Sequence, residues 1–340
     1  MQKNILALLM LGVFTFSYSQ QVKILNLDKP DVSFRGLSVV DDYVLWVSGS
    51  KGTVGLSHNG AKSFNWLKMI GYENRDFRAI YAVDHQNVVV VAVGSPGIIL
   101  KTSDGGANWK EVYKDESPDV FMNAVDFANY NPSLGVVVGD PIDDEPYILK
   151  TVDGGDTWKK MDSKDLHQFA KDEAFFAASN SNVKLLDETT FIAVTGGSKS
   201  HILYNAAPPM ALPLSKTEST TSGANGLDYS VMGNFGLIVG GDFEKPDSSE
   251  NNLFIFELEN MKTPVVSSPV SPPLGYKSGV AIQNETKAIS CGLSGVDITQ
   301  DKGKNWKNIS KTGYHACKKA KNGSKVYLTG PSGRIGYLLE

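Results

Sequence analysis

A repeated aromatic–basic pair is the feature of this sequence best suited to binding chemistry. The pairs are Phe34-Arg35, Phe77-Arg78, Tyr276-Lys277 and Tyr314-His315. Arginine can hold a carboxylate or phosphate through two parallel hydrogen bonds. Several cations in one place would concentrate a positive field, although the chain has a formal net charge of -4. The pattern predicts an anion-binding site. The alternative is that each basic side chain pairs with a nearby acid.

Acidic side chains occur at related positions. Asp140 and Asp242 directly follow apolar runs, in GDPIDDEP and GGDFEKPDSSENN, so they are expected to face the channel. Glu173 precedes residues 175–181 (FFAASNS), which are predicted to be the inner strand of the fourth unit. These two loops are longer than the GSKG, GSPG, GLSG and GPSG loops of other units, which predicts a wall on one side of the site. Their carboxylates could hold Ca²⁺. Because the spacing matches no EF-type loop, a solvated acidic loop is favoured and no metal is predicted.

Recognisable catalytic motifs are absent from the sequence. It has no Gly-x-Gly-x-x-Gly after a strand, no phosphate loop, no His-Glu-x-x-His and no Gly-x-Ser-x-Gly. The five histidines are scattered without metal-ligand spacing. We therefore predict no cofactor and favour a non-enzymatic protein over a Rossmann-type dehydrogenase, which no residue supports.

Three octapeptides reveal the elements that would position the site. TSDGGANW (102–109), TVDGGDTW (151–158) and TQDKGKNW (299–306) share Ser/Thr-x-Asp-x-Gly-x-x-Trp, and SHNGAKSF (57–64) is a weaker copy. The pattern predicts a strand, a tight turn and a strand, in which the carboxylate and hydroxyl accept backbone N–H groups. The residues expected to have this structural role are Asp104, Trp109, Asp153, Trp158, Asp301 and Trp306.

The spacing of these repeats predicts the architecture. Successive copies are separated by 45, 49 and 148 residues, and the last interval is close to three steps of 49, so the period is that of a four-stranded propeller blade. Seven apolar runs ending in Gly, such as LWVSG and VYLTG, give the number of units. We therefore predict an all-β, seven-bladed β-propeller of four-stranded antiparallel blades, forming a single domain over residues 20–340. The aromatic–basic pairs then surround one mouth of its central channel.

The two chain ends are predicted to close the ring. The last unit has only three strands, and the segment around 22–27 precedes the first unit without a hairpin partner. Pairing of 22–27 with the strand around 334–339 would complete the seventh blade and remove exposed sheet edges.

The N-terminus predicts export. Lys3 precedes an apolar run over 5–14 that is too short to span a membrane. Ser17 and Ser19 suit a signal-peptidase site before Gln20. We expect residues 1–19 to be a signal peptide, and the mature protein to be a periplasmic or extracellular monomer without a membrane span. The net negative charge gives no support for nucleic-acid binding.

Three further features are interpreted as structural. Cys291 and Cys317 could form a disulfide after export, but two small buried apolar side chains are favoured. Residues 162–179 are predicted to include one short helix that caps the channel mouth. The Pro-, Ser- and Thr-rich stretch 208–223 is predicted to be an irregular outer crossing in blade four.

The octapeptides resemble the Asp-box, or bacterial neuraminidase repeat, of β-propeller blades. The order of EAFFAASNS, GLIVGGDFEKP, PPLGYKSGVA, CGLSGVDITQDKGKNW and GPSGRIGYL is similar to exported propellers related to the photosystem II stability/assembly factors, which are often loosely labelled oxidoreductases. That resemblance implies a non-catalytic binding or assembly protein with an arginine-rich patch. Arg35 and Arg78 correspond to the patch by position, with Lys277 as a weaker basic substitute. The implied ligand is a protein partner or a small anion.

The same boxes also resemble the sialidase-like superfamily. A hydrolase of that kind acting on acidic glycans would use three arginines, a Tyr/Glu nucleophile pair and an Asp acid. This chain has four arginines, of which Arg75 and Arg78 share one connection and Arg334 follows the last loop. Glu173 could act as a base, but no tyrosine can be assigned to it. The hydrolase is therefore the alternative function.

Overall fold

The structure is a computed structural model that describes residues 21–25, 29–162, 166, 168–188, 190–204, 208–213, 219–260 and 263–339. All regular elements in these ranges are β-strands. They form antiparallel sheets whose neighbours contact one another around a closed ring. The prediction of an all-β, seven-bladed propeller is confirmed. The predicted signal peptide lies outside the described residues.

The first three blades each contain four strands in sequence order. The N-terminal strand β1 (Gln21–Leu25) precedes them and belongs to the last blade. Blade 1 contains β2 (Phe34–Val39), β3 (Leu45–Gly49), β4 (Thr53–Ser57) and β5 (Asn65–Lys68). Blade 2 contains β6 (Ala79–Ala82), β7 (Val88–Ala92), β8 (Gly97–Thr102) and β9 (Lys110–Asp115). Blade 3 contains β10 (Met122–Ala128), β11 (Asn131–Ile142), β12 (Glu145–Thr151) and β13 (Lys159–Lys160).

Blades 4 and 5 are joined by two additional short strands, β14 (Glu173–Ala174) and β17 (Gly196–Gly197). Blade 4 contains β15 (Val183–Leu185), β16 (Phe191–Val194), β18 (His201–Tyr204) and β19 (Met210–Ala211). Blade 5 contains β20 (Ser222–Ser230), β21 (Phe235–Asp242), β22 (Leu253–Glu259) and β23 (Thr263–Ser267). β17 pairs with β14 on one side and with β20 on the other.

The last two blades complete the ring. Blade 6 contains β24 (Gly279–Ile282), β25 (Ala288–Gly292), β26 (Gly295–Thr299) and β27 (Trp306–Ser310). Blade 7 contains β28 (Ala316–Lys319), β29 (Val326–Thr329) and β30 (Ile335–Leu339). β1 is its outer strand, in antiparallel register from Gln21 opposite Leu339 to Leu25 opposite Ile335. The predicted closure is confirmed, and residues 26 and 27 of the expected strand lie outside the described residues.

The core lies between the blades. Among the described residues, seven apolar clusters each combine side chains from two adjacent blades. Strands covered on both faces read as continuous apolar runs, as in Val88–Ala92, where all five residues are buried. Cys291 and Cys317 are free and buried in the cluster between blades 6 and 7, as the sequence favoured. No helix that could cross a membrane occurs in the described ranges.

The structure differs from prediction around blade 4. The inner strand was expected over 175–181, but it is β15 at Val183–Leu185. Where a capping helix was expected over 162–179, the described residues contain only the short strand β14. The reason is that the polar residues before β15 form hydrogen bonds with other blades instead of with a local ladder. In the region 208–223, β19 is a regular outer strand, and residues 214–218 lie outside the described chain.

Candidate binding site at the channel mouth

The octapeptide turns share one hydrogen-bond arrangement. Thr102 Oγ1 donates to Asp104 Oδ1 (2.8 Å), and this oxygen accepts from the Asn108 N–H (2.9 Å). Gly106 N donates to Thr102 Oγ1 (3.0 Å). Hydrogen bonds from Asn108, first through its backbone, lower the pKa of Asp104 to about 2.

The other octapeptides repeat this geometry. Asp153 accepts from Thr157 N (3.0 Å) and Asp301 from Asn305 N (2.9 Å). The weaker copy uses the Asn59 amide oxygen, which accepts from Ser63 N (3.0 Å). The indole rings lie against the blades: Trp158 and Trp306 are buried, and Trp109 meets the Trp46 ring edge-on at 6.3 Å. These residues contact their own turns, their own blades and the adjacent blade, and they do not line the mouth described next.

One mouth of the channel contains a cavity of about 420 Å³, here called the mouth cavity. Four of the seven residues proposed from the sequence as a binding site line it: Arg35, Arg78, Asp140 and His315. The start of the inner strands brings the two arginines and the histidine to this position. The remainder of the wall is mainly apolar and aromatic and includes Phe121, Phe175, Phe176, Phe243, Tyr276 and Leu293.

The two arginines of the mouth differ in their partners. Arg35 Nη1 donates to the Ala178 carbonyl oxygen (3.2 Å). Arg78 Nε contacts Asp76 Oδ2 at 2.7 Å, and about a third of its side chain is exposed (31%). The acid pairing that was the sequence alternative therefore occurs at Arg78. Burial, and then the charge of Arg78, lowers the pKa of Arg35, although a guanidinium remains protonated in proteins.

His315 lies at the mouth but carries no charge there near neutral pH. Its Nε2 atom is 3.1 Å from Ser33 Oγ. Burial, followed by the charges of Arg35, Arg78 and Arg334, lowers its pKa to about 3. His315 therefore does not add the positive charge that the sequence predicted for the mouth, because desolvation disfavours the imidazolium.

Asp140 is the acidic group of the mouth cavity. Its Oδ1 accepts from Asn123 Nδ2 (2.7 Å) and from Phe175 N (3.1 Å). Burial raises the pKa of this carboxyl to about 7, against the opposing effect of these two hydrogen bonds. The mouth therefore gains negative charge as the pH rises through neutrality.

Lys277 is separated from the mouth cavity, contrary to the expectation that it belongs to the basic cluster. Its side chain is fully buried, and Nζ lies 2.7 Å from Asp297 Oδ2. It also donates to Ser294 Oγ and to the Gly295 carbonyl oxygen (both 3.1 Å). The long side chain extends away from the channel to a buried carboxylate of its own blade, where burial lowers its pKa against the opposing charge of Asp297.

Glu173 also lies away from the wall of the mouth cavity. Its carboxylate is buried and accepts from Thr195 Oγ1 (2.5 Å) and Ala170 N (3.0 Å). The same group lies 2.8 Å from His201 Nδ1. These contacts fasten β14 to blade 4, which removes Glu173 from the positions open to a ligand.

Asp242 belongs to a separate small depression with Ser219, Ser222 and Lys245. Its carboxylate accepts from Thr221 Oγ1 (2.8 Å) and contacts Lys245 Nζ (3.2 Å). β21 includes Asp242 as its final residue, and the local partners hold the carboxylate beside the 243–250 loop. Asp242 therefore does not face the channel mouth, contrary to the expectation from the sequence.

A segment that the sequence pattern did not indicate crosses the channel. Residues 178–182 (Ala-Ser-Asn-Ser-Asn), here called the channel segment, are buried. Ala178 accepts from Arg35 of blade 1 (3.2 Å). Asn180 Nδ2 donates to the Ile80 carbonyl oxygen of blade 2 (2.8 Å), and its Oδ1 accepts from Val125 N of blade 3 (2.8 Å). A single asparagine thus joins two blades.

The channel segment also contacts the other three blades. The hydrogen bonds are from Leu227 N of blade 5 to Ser181 O (2.7 Å), from Ser179 Oγ to Ser278 O of blade 6 (2.6 Å) and from Lys318 Nζ of blade 7 to Asn180 O (2.9 Å). Blade 4 therefore has direct hydrogen bonds to all six others through residues 178–181. The available sequence signal was the replacement of an apolar inner strand by small polar residues.

The described residues contain no group of three or more His, Cys, Asp or Glu side chains arranged to hold a metal ion. What the mouth cavity does offer is two guanidinium groups beside an aromatic wall. Such an arrangement can hold a carboxylate together with an adjoining apolar group.

Comparisons with known proteins identify structural relatives of this chain. No protein-family model matches it, and no curated protein matches it. A structure of YCF48 bound to D1 peptide is similar with a TM-score of 0.65 and 13% identity, over 94% of this chain and 97% of the other. YCF48 from Cyanidioschyzon merolae gives 0.62 and 15%, over 93% and 98%. A streptogramin B lyase gives 0.64 and 12%, over 94% and 97%. At these identities the likeness shows the fold, which the chain shares with a peptide-bound protein and with an enzyme.

Proposed function

We propose that the chain is a non-catalytic propeller that binds a protein partner through the mouth cavity. The observation that carries this proposal is the placement of Arg35 and Arg78 beside Phe175, Phe176 and Phe243 in one opening. A peptide with a carboxylate next to an apolar side chain fits both parts of that wall. The peptide-bound YCF48 structure, which shares the fold, supports a role of this class.

The glycoside hydrolase alternative has one observation in its favour. Asp140 lines the same cavity as the arginines, and burial raises its pKa to about 7, as a general acid requires. Glu173, the base that the sequence offered, binds Thr195. Tyr276, which lines the mouth cavity, donates its hydroxyl to Asn225 Oδ1 (2.7 Å), so these two residues do not form a Tyr/Glu nucleophile pair. Binding without turnover is therefore the better supported function.

Location is a second part of the proposal. We infer from the sequence of residues 1–19 that the protein is exported and acts in the periplasm or outside the cell. Cell fractionation with mass spectrometry of the mature N-terminus tests this inference. Cleavage before Gln20 supports it, whereas an intact Met1 in a cytoplasmic fraction contradicts it.

Partner capture tests the binding function. The tagged protein is incubated with extract of the native cell envelope, in parallel with Arg35→Ala/Arg78→Ala and with Lys307→Ala, which removes an exposed cation from blade 6. We expect the wild type and Lys307→Ala to retain a common partner that the double variant loses. Equal retention by all three proteins would contradict the proposal, and turnover of an acidic glycoside by the wild type would favour the hydrolase.

A further inference from the structure

A second cavity of about 240 Å³, here called the far cavity, lies at the opposite ends of the inner strands. Its wall includes Asn180 of the channel segment. Ala178 of the same segment lines the mouth cavity. The far cavity is therefore a separate space beyond the channel segment. Its polar lining contrasts with the aromatic wall of the mouth.

Two carboxylates of the far cavity each accept a hydrogen bond from a backbone N–H of the inner strand of the next blade. Asp126 Oδ2 accepts from Leu185 N (2.8 Å), and Asp228 Oδ2 accepts from Ile282 N (2.8 Å). Lys184 is bonded to Asp228 Oδ1. Burial alone would lower the pKa of Lys184, but Asp228 and then Asp126 more than offset this and raise it. One lysine is thereby neutralised.

Two further lysines, Lys318 and Lys321, give the far cavity an excess of cations. Lys318 Nζ donates to the Asn180 carbonyl oxygen (2.9 Å). Lys321 Nζ donates to the Ala82 carbonyl oxygen and lies 3.7 Å from the centre of the Tyr81 ring. Each ammonium has three N–H donors, and these contacts use only part of them. With Lys184, three ammonium groups face two carboxylates.

The cavity also has room for a ligand. The far cavity has a volume of about 240 Å³, and a water molecule takes up about 30 Å³. The space is therefore large enough for several water molecules or for one small oxyanion. A buried cation is costly unless it is paired and hydrogen-bonded. An anion in this space would satisfy the remaining ammonium donors and balance the excess positive charge.

We propose that the far cavity binds a small oxyanion, an inorganic anion or a short carboxylate, through Lys318 and Lys321. The proposal does not depend on the function of the mouth, because none of the arginines belongs to this wall. The titratable residues of the wall are Tyr81, Asp126, Lys184, Asp228, Lys318, Lys319 and Lys321. The wall from β2 and β24 contributes only apolar groups and Ser38.

Binding is expected to take up a proton. In the absence of a ligand, burial lowers the pKa of Lys321 to about 7, with Asp126 opposing the shift. A bound anion favours the ammonium form and raises this pKa again. Affinity is therefore highest below pH 7 and falls as the pH rises above it.

Titration calorimetry at pH 6 and pH 8.5 with sulfate, whose charge is constant over this range, tests the proposal. A parallel titration with succinate shows whether the cavity prefers an organic carboxylate or an inorganic anion. We expect at least one of them to bind one site per chain, more tightly at pH 6. Lys318→Gln and Lys321→Gln should each weaken it by roughly tenfold or more, the effect of losing one charge-assisted hydrogen bond.

The chain supplies matched controls. Lys319 follows Lys318 on β28 and also borders the far cavity. Its Nζ donates instead to the Ala320 and Gly323 carbonyl oxygens (3.1 and 2.7 Å), so Lys319→Gln should retain the affinity. Arg35→Ala/Arg78→Ala should also retain it, because that variant alters the other mouth. Circular dichroism tests whether each variant is folded. If Lys318→Gln does not fold, Lys321→Gln provides an independent test of the site. No binding of either anion by the wild type, or equal loss in Lys319→Gln, would overturn the proposal.

Discussion

Arg35 and Ala178 are joined across the channel by a 3.2 Å hydrogen bond from Nη1 to the carbonyl oxygen. The donor belongs to blade 1 and the acceptor to the channel segment that precedes the inner strand of blade 4. This contact fixes the orientation of the Arg35 guanidinium at the mouth. The position of a proposed binding residue therefore depends on the channel segment. Stability and binding are therefore connected through residues 178–182.

Replacement of Asn180 should destabilise the whole ring. Asn180→Ala leaves the Val125 N–H and the Ile80 carbonyl without their side-chain partner. Because both groups are buried, we expect a loss of about 2–4 kcal/mol in the free energy of unfolding. Urea unfolding measures it. Asn260→Ala is the control, since Asn260 has a similar left-handed backbone (φ 50, against 54 for Asn180) at an exposed position. Equal effects would show that only backbone conformation matters.

Gly226→Ala tests how closely the channel segment packs against blade 5. A Cβ atom at this glycine would lie 2.2 Å from Ser181 Oγ and 2.9 Å from the Ser278 carbonyl oxygen. Since the Ser278 backbone cannot move freely, we expect a lower melting temperature. Gly71→Ala, whose Cβ would meet no atom within 4 Å but whose φ is 85, measures backbone strain without crowding. A Gly226 variant as stable as the wild type would show that the segment packs loosely.

The pH dependence of the mouth should depend on Asp140. The pKa of Asp140 is raised to about 7 in the folded chain, whereas it is about 4 in the unfolded chain. Its protonated form therefore contributes its full stability below about pH 4, and this contribution is lost as the pH rises through 7. Asp140→Asn should therefore be more stable than the wild type at pH 8, by about 1–3 kcal/mol, and the difference should vanish near pH 4. Thermal unfolding across this range measures it. A constant difference at every pH would contradict the expectation.

The octapeptide aspartates are predicted to be structural. Asp153→Ala removes the acceptor of the Thr157 N–H and hydroxyl and should lower the melting temperature by about 2–4 °C without altering ligand affinity. Because hydrogen bonds lower the pKa of Asp153, its contribution is present above about pH 4 and is lost as the pH falls below that value. Asp119→Ala, at an exposed position, is the control. An unchanged melting temperature with lost binding would make the turn a functional site.

Deletion of residues 20–29 should expose the edge of β30, which pairs with β1 along Gln21–Leu25. Unpaired sheet edges promote association, so we expect aggregation that light scattering detects. A chain that begins at residue 20 is the control. If the shortened protein remains monomeric with an unchanged melting temperature, the closing strand is unnecessary.

The sequence predicted the fold well because the propeller repeats its signals. Turn chemistry at Asp104, Asp153 and Asp301 recurs at a regular spacing, and apolar runs give the number of blades. Prediction failed in blade 4, where the repeat is interrupted. The hydrogen bonds of Asn180 join residues 55 and 100 positions apart, and no local pattern indicates such partners.

The candidate site was predicted less completely. Repeat position correctly placed Arg35, Arg78 and His315 at one mouth, but side-chain length and local partners decided the rest. Lys277 reaches Asp297 and Glu173 reaches Thr195, and neither pairing can be inferred from position along a strand. The neutrality of His315 also required knowledge of its burial among arginines.

The measurement that tests the central claim most directly uses a peptide from the captured partner. Its affinity is determined by fluorescence anisotropy for the wild type, Arg35→Ala/Arg78→Ala and Lys307→Ala, with the peptide carboxylate free or converted to an amide. We predict that the double variant and the amide each weaken binding by more than about tenfold, and that combining them costs little more. Added salt should weaken the complexes of the wild type and Lys307→Ala with the free carboxylate, and should have little effect on the other complexes. Equal affinity of the double variant and wild type for the free carboxylate would contradict the account.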